Sequence, residues 1–124
     1  MEEFDDPLML FQDALPNRLT RDRYEHRLDL FFKFLEIDGD SPEIRAENFT
    51  KKAVDPKWTT SVILKYIRMH KERAEKKEIS TATLPNYYKP IKLFCEMNDV
   101  ALNWKKITRG IPKAKNMLRI EFQH

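Results

Sequence analysis

Glycine is almost missing from this sequence: 124 residues carry only Gly39 and Gly110. That is too few for the repeated tight turns of a β sandwich or barrel. It also excludes a glycine-rich loop that cradles phosphate through its backbone N–H groups. Cysteine is scarcer still. The lone Cys95 rules out an internal disulfide framework, fits a reducing cytosol, and reads as a small buried hydrophobe. No apolar run approaches the ~20 residues of a membrane span. The N-terminus is acidic and lacks the basic-then-apolar order of a secretory signal. Three histidines, His26, His70 and His124, have no cysteine or carboxylate at ligand spacing, so neither a zinc site nor a cofactor is expected. No Ser or Cys sits in a nucleophile setting, and no carboxylates are paired for glycosidase-like work. Together these absences argue against an autonomous enzyme.

What is present is apolar, helix-favouring and unevenly charged. Hydrophobic residues make up 41% of the chain, with eight Phe, four Tyr and two Trp, enough for the core of one domain and incompatible with a disordered tail. Leu, Lys, Glu, Arg and Ile are plentiful, a balance that favours helices. Residues 1–50 carry 13 acids and 6 bases, a net −7, whereas residues 51–124 carry 7 acids and 17 bases, a net +10. A single unit polarised in this way has an acidic and a basic side, and phosphate is the commonest large partner for the second. A phosphate-bearing partner and a solvated lysine-rich face are the two readings of that basic side, and composition alone does not choose between them.

Periodicity predicts an all-α domain. Residues 1–17 read as an acidic arm whose Leu8, Leu10, Phe11 and Leu15 can dock on the core. A first helix is predicted over residues 20–37, capped by Thr20, with Tyr24, Leu28, Phe31, Phe32 and Leu35 in one stripe and Gly39 as its stop. Ser41-Pro42-Glu43 signals a short turn of helix through Asn48. Asp55-Pro56 opens a long helix over residues 56–77. Its apolar face runs from Trp58 through Ile63, Tyr66 and Ile67 to Ala74, with His70 beside it as a satisfied structural histidine. On its outer side, pairs at i,i+4 (Arg68 with Glu72, Lys71 with Glu75) would compensate part of the charge, while Lys65 and Arg68 could add a basic strip. A third helix begins near Ser80 or Thr83 and reaches Asn98, with a kink expected at Pro90. A last short helix is capped by Asn103 and stopped by Gly110 and Pro112. Residues 113–124 read as an extended exit.

The strongest functional signal lies between residues 79 and 115. Ser80, Thr81 and Thr83 offer hydroxyls and free backbone N–H groups at a helix start, a setting that holds phosphate. Asn86, Lys89 and Lys92 follow at i, i+3, i+6, which places them on one outward strip. Lys105, Lys106, Arg109, Lys113 and Lys115 extend the basic run, with no acid between Asp99 and Glu121. These eleven residues are the expected DNA contacts, mostly to phosphate, with Asn86 the candidate for a base edge.

At residues 18–115 the sequence resembles the core-binding domain of tyrosine recombinases, the phage-integrase family. A helix of the form Thr…Tyr…Leu…Phe…Leu is matched by Thr20, Tyr24, Leu28, Phe31 or Phe32, and Leu35. A later Ser-x-x-Thr…Asn-Tyr…Leu…Phe helix is matched by Ser80, Thr83, Asn86-Tyr87, Ile91 and Phe94. The family's exit is matched by Asn103-Trp104-Lys105-Lys106-Ile107 and Ile111-Pro112-Lys113, with Trp104 where proline is usual. The stretch from Phe94 to Ile107 looks most like archaeal members. The resemblance implies a SAM-like bundle of four to five helices over residues 18–112, forming half of a clamp around duplex DNA for site-specific integration or recombination. Residues 113–124 would lead toward a catalytic domain, absent here, that holds the Arg, Lys, His and nucleophilic Tyr. It further implies a non-catalytic chain, monomeric off DNA, cytoplasmic and nucleoid-associated. A stand-alone helical protein-interaction module, docking through the acidic half, is the alternative.

Overall fold

The computed structural model describes residues 6–112. Among them are six α-helices, α1 (Pro7–Asp13), α2 (Arg18–Phe34), α3 (Pro42–Lys52), α4 (Pro56–Glu75), α5 (Leu84–Met97) and α6 (Trp104–Ile107), with one 3-10 turn at Thr81–Thr83 ahead of α5. The fold is an all-α bundle, as the periodicity predicts.

Short polar side chains start these helices. Asp6 accepts the Met9 N–H, Ser41 accepts that of Ile44, Asp55 accepts those of Lys57 and Trp58, and Asn103 accepts that of Lys106. Proline at the first helical position follows the cap in α1, α3 and α4, where its missing N–H is no loss. Two sequence-based boundaries need correction here. Thr20 does not cap α2: Asn17 does, accepting the Thr20 N–H at 3.0 Å, so the helix begins one turn earlier. The Ser41-Pro42 helix continues to Lys52 rather than stopping near Asn48, because Ala46, Phe49 and Ala53 all find the core.

The helix ends show how a chain nearly without glycine turns its corners. Glu36, Lys77 and Asp99 adopt φ of 58°, 63° and 59°, the left-handed region that normally favours glycine. Each follows a helix. Ile37, Glu78 and Val100 donate their N–H to Phe32, Arg73 and Cys95, five residues back, while Glu36, Lys77 and Asp99 donate to carbonyls three residues back. Both bonds of the Schellman motif are therefore made at all three ends, without its usual glycine. Thus α2 stops at Phe34, short of Gly39.

The core is aromatic. Phe11, Phe31, Phe32, Phe49 and Phe94 are fully buried and pack edge-to-face or tilted, with Phe94 touching Phe11, Phe32 and Phe49 at ring separations of 5.5–6.0 Å. α5 is the central element, touching α1, α2 and α4. The segment read as an arm belongs to this core: α1 buries Leu8 and Phe11, and Leu15 follows it inward. The Asn98 amide clamps α1 down, donating to the carbonyls of Pro7 and Phe94, both at 3.1 Å. Cys95 is fully buried, and burial, helped by neighbouring Glu96, pushes its thiol up to about 12. Among the described residues no helix is long and apolar enough to cross a membrane.

Candidate nucleic-acid interface

The basic residues of α6 face outward because their neighbours face in. Ile107 and Ile111 are buried and Trp104 and Thr108 half-buried, so the i, i+3, i+4, i+7 stripe fixes one side of this turn against the bundle. Lys105, Lys106 and Arg109 are left exposed. The Thr108 hydroxyl donates to the Trp104 carbonyl at 2.8 Å, and Trp104 stacks on Tyr88 of α5, ring centres 6.5 Å apart and planes at 24°. That stack holds α6 on α5. The Trp104 indole N–H is buried in it and has no acceptor.

On α5, Leu84, Ile91, Phe94 and Cys95 turn inward, leaving Asn86 and Lys89 exposed on the opposite side. Lys92 does not share their exposure; it is half-buried. Each i, i+3 step on a helix falls short of a full turn by about 60°, so the strip slants around α5 as it runs. Lys92, one turn beyond Tyr88, has thereby come round toward the side on which Trp104 stacks. The Lys92 end of the strip therefore leans toward the side of α5 that meets α6, while Asn86 lies away from it.

The start of α5 differs from expectation. The Thr83 hydroxyl donates to the Ser80 carbonyl at 2.7 Å, and the Thr83 N–H uses the same acceptor. These two groups belong to the 3-10 turn, so they are not free for a ligand. Ser80 is exposed and Thr81 half-buried, and no side chain caps α5. Lys113 and Lys115 lie outside the described residues.

Beneath the first turn of α5 sits His70 of α4, 4% exposed. Its ring stacks on Tyr87 at 3.8 Å and meets Tyr66 edge-on at 4.6 Å. It is not the satisfied histidine the sequence suggests. The Arg73 guanidinium lies 3.1 Å from Nδ1 and can only donate, so Nδ1 accepts and the neutral ring carries its proton on Nε2. Nε2 is buried without a partner. Burial, then the nearby Arg73 charge, pulls the His70 pKa down to about 4. Tyr66 moves the other way, to about 12, chiefly through burial. Two guanidiniums flank Tyr87, Arg27 from α2 at 5.9 Å and Arg73 at 6.0 Å from the ring centre.

The charge on α4 is also freer than its spacing suggests. Neither Arg68 with Glu72 nor Lys71 with Glu75 closes as an ion pair; those formed among the described residues are Arg18–Asp22, Lys33–Asp29, Arg45–Asp29 and Arg73–Glu78. Lys71 instead reaches the chain after α6, its Nζ 3.1 Å from where a Cβ on Gly110 would stand. Sequence spacing pairs this lysine with Glu75, and only the packing of α4 on α6 reveals the other arrangement. No family model, curated protein or solved structure matches the chain.

Proposed function

We propose that this chain binds duplex DNA through the outward sides of α5 and α6, acting as the core-binding half of a recombinase-type clamp. In this reading the strand chemistry belongs to a separate catalytic domain, and the chain works in the cytoplasm, associated with the nucleoid. The observation that carries the reading is the outward set Asn86, Lys89, Lys105, Lys106 and Arg109, all exposed and none in an ion pair among the described residues. Ammonium and guanidinium groups arranged this way neutralise phosphates and fix register without reading sequence. Asn86, the one exposed amide in the set, has the donor and acceptor that pair with an adenine edge.

Fluorescence anisotropy with a labelled duplex, titrated across salt, tests the proposal. Log affinity is expected to fall with log salt by about 0.9 per phosphate contact. Changing Lys105, Lys106 and Arg109 together to Glu is expected to abolish binding while leaving the helical circular dichroism unchanged. Salt-independent binding, or none at low salt, overturns the proposal. A protein-interaction module docking through the acidic half predicts instead that this charge reversal leaves partner binding intact.

A further inference from the structure

Three stretches of the C-terminal half contain no acid, residues 56–71, 79–95 and 100–120. The second and third hold the α5 and α6 residues already described. The first is most of α4. On its outer side Lys57, Ser61, Lys65 and Arg68 fall at i, i+4, i+8 and i+11, one stripe of a helix, and all four are exposed. The opposite side is fixed inward by Thr59, Ile63, Tyr66, Ile67 and His70, so the stripe cannot rotate into the core. At 1.5 Å of rise per residue, Lys57 and Arg68 stand roughly 16 Å apart along the axis.

Three further observations bear on what this ridge does. Its cations are unpaired among the described residues, since the spacing-compatible partner Glu72 does not close on Arg68. Asp55, the acid nearest its start, is engaged in capping the helix through the Lys57 and Trp58 N–H groups. And Lys71, one turn beyond the Lys57–Arg68 stripe and half-buried, meets the chain at Gly110, next to the exposed Arg109. The ridge is therefore joined to the α6 run through a lysine at the point where α4 and the α6 exit touch.

We infer that α4 supplies a third phosphate-contacting strip, Lys57, Lys65 and Arg68 with Lys71 at its junction to α6, continuous with the α5–α6 surface. This inference rests on the DNA-binding reading above. The three acid-free stretches then form one surface, and a side chain at Gly110 would crowd the Lys71 amine at the junction.

Salt titrations of duplex binding, with three charge-neutralised variants beside the unaltered protein, test it. The first is Lys65→Gln with Arg68→Gln and Lys71→Gln. The second is Lys89→Gln with Lys105→Gln and Arg109→Gln. The third, an equal charge loss on the outward side of α2, is Arg18→Gln with Arg23→Gln and Lys33→Gln, all three exposed. The α4 variant is expected to lower the salt slope by two to three units, at about 0.9 per lost contact, and the third variant to leave it unchanged. If the α4 slope matches the unaltered protein while the α5–α6 variant loses its own, the ridge is only solvated and the inference falls with the DNA reading intact. Equal losses in the α4 and control variants mean that net charge alone is felt, and also overturn it. If the unaltered protein does not bind, both readings fall together.

Discussion

Arg45 of α3 holds Asp29 of α2 in a two-pronged grip, Nε to Oδ1 at 2.8 Å and the second guanidinium nitrogen to Oδ2 at 2.7 Å. Its remaining nitrogen donates to the Gly39 carbonyl at 2.8 Å. The pair is 12% and 13% exposed, and Asp29 raises the already high Arg45 pKa. One side chain thus ties α2, the α2–α3 corner and α3 together. Gly39, at φ 144°, gives it room: a Cβ there would stand 2.9 Å from the Arg45 Cγ and backbone nitrogen.

Replacing Arg45 by Leu is expected to destabilise the fold by about 2–3 kcal/mol, because a largely buried carboxylate loses its best partner. Arg45→Lys is expected to recover less than half of that, since an ammonium cannot make the parallel pair of bonds. Urea denaturation followed by circular dichroism measures both. Equal stability of the Lys variant and the native protein would show that the planar fork is irrelevant.

Acid is expected to weaken the fold through His70. An unfolded histidine titrates near 6.5, whereas in the fold burial and Arg73 lower it to about 4. Between those values the unfolded chain holds a proton that the folded chain does not. The His70 share of stability is therefore complete above about pH 6.5 and declines as pH falls, until it is lost near pH 4. The full drop is on the order of 3 kcal/mol. The surrounding groups explain why the charged ring is refused: Tyr66 and Tyr87 bury its ring and Arg73 on the same helix repels its charge, while Arg27 from α2 faces Tyr87 and Glu78 is held at 3.4 Å by Arg73 Nε. Denaturation midpoints of the native protein between pH 7 and 5 should fall, and those of His70→Gln should fall much less. Parallel curves would remove His70 as the cause.

Glycine at a left-handed corner is expected to stabilise this protein. A residue with a Cβ costs roughly 1–2 kcal/mol in that conformation, offset in part by the greater freedom glycine gives the unfolded chain. Glu36→Gly and Lys77→Gly should each gain about 0.5–1 kcal/mol, raising the melting temperature by a few degrees for a domain of this size. Calorimetry reads the change. A lower melting temperature in both variants would mean that the side chains of Glu36 and Lys77 contribute more than the strain they carry.

These corners also mark what the sequence could not disclose. Capping chemistry is local, so Ser41, Asp55 and Asn103 were readable as helix starts, and the stripes through Phe31, Tyr66 and Ile91 were readable as core. Glu36 and Lys77 carry no local mark of a turn, so periodicity alone runs the ends of α2 and α4 two or three residues too far, whereas the end of α5 before Asp99 falls where it predicts. Thr20 is a good cap by residue type, but Asn17 is better and lies a turn earlier. At the candidate interface, the outward setting of Asn86, Lys89, Lys105, Lys106 and Arg109 follows from period alone. What period cannot supply is contact between elements: the Tyr88–Trp104 stack that joins α5 to α6, and Lys71 turning to Gly110 rather than to Glu75.

The same stack predicts which form of nucleic acid the basic surface prefers. Binding to single strands depends on aromatic rings free to receive bases, worth about 1–3 kcal/mol per base. Among the described residues, the large hydrophobic side chains that are exposed are Met9, Leu19, Leu30, Ile44 and Val54, none of them aromatic. The rings closest to the basic surface are engaged, Trp104 with Tyr88 and Tyr87 with His70. What remains is charge, and a duplex presents about one phosphate per 1.7 Å of axis against one per 3.4 Å for each of its strands. Duplex DNA is therefore expected to bind at least about tenfold more tightly than either of its strands alone at equal salt, without quenching tryptophan fluorescence. Anisotropy and fluorescence titrations with matched oligonucleotides check both points. Equal affinity for single strands accompanied by quenching would mean that Trp104 leaves Tyr88 to stack on a base, and that the ring pair is a binding platform instead of a brace.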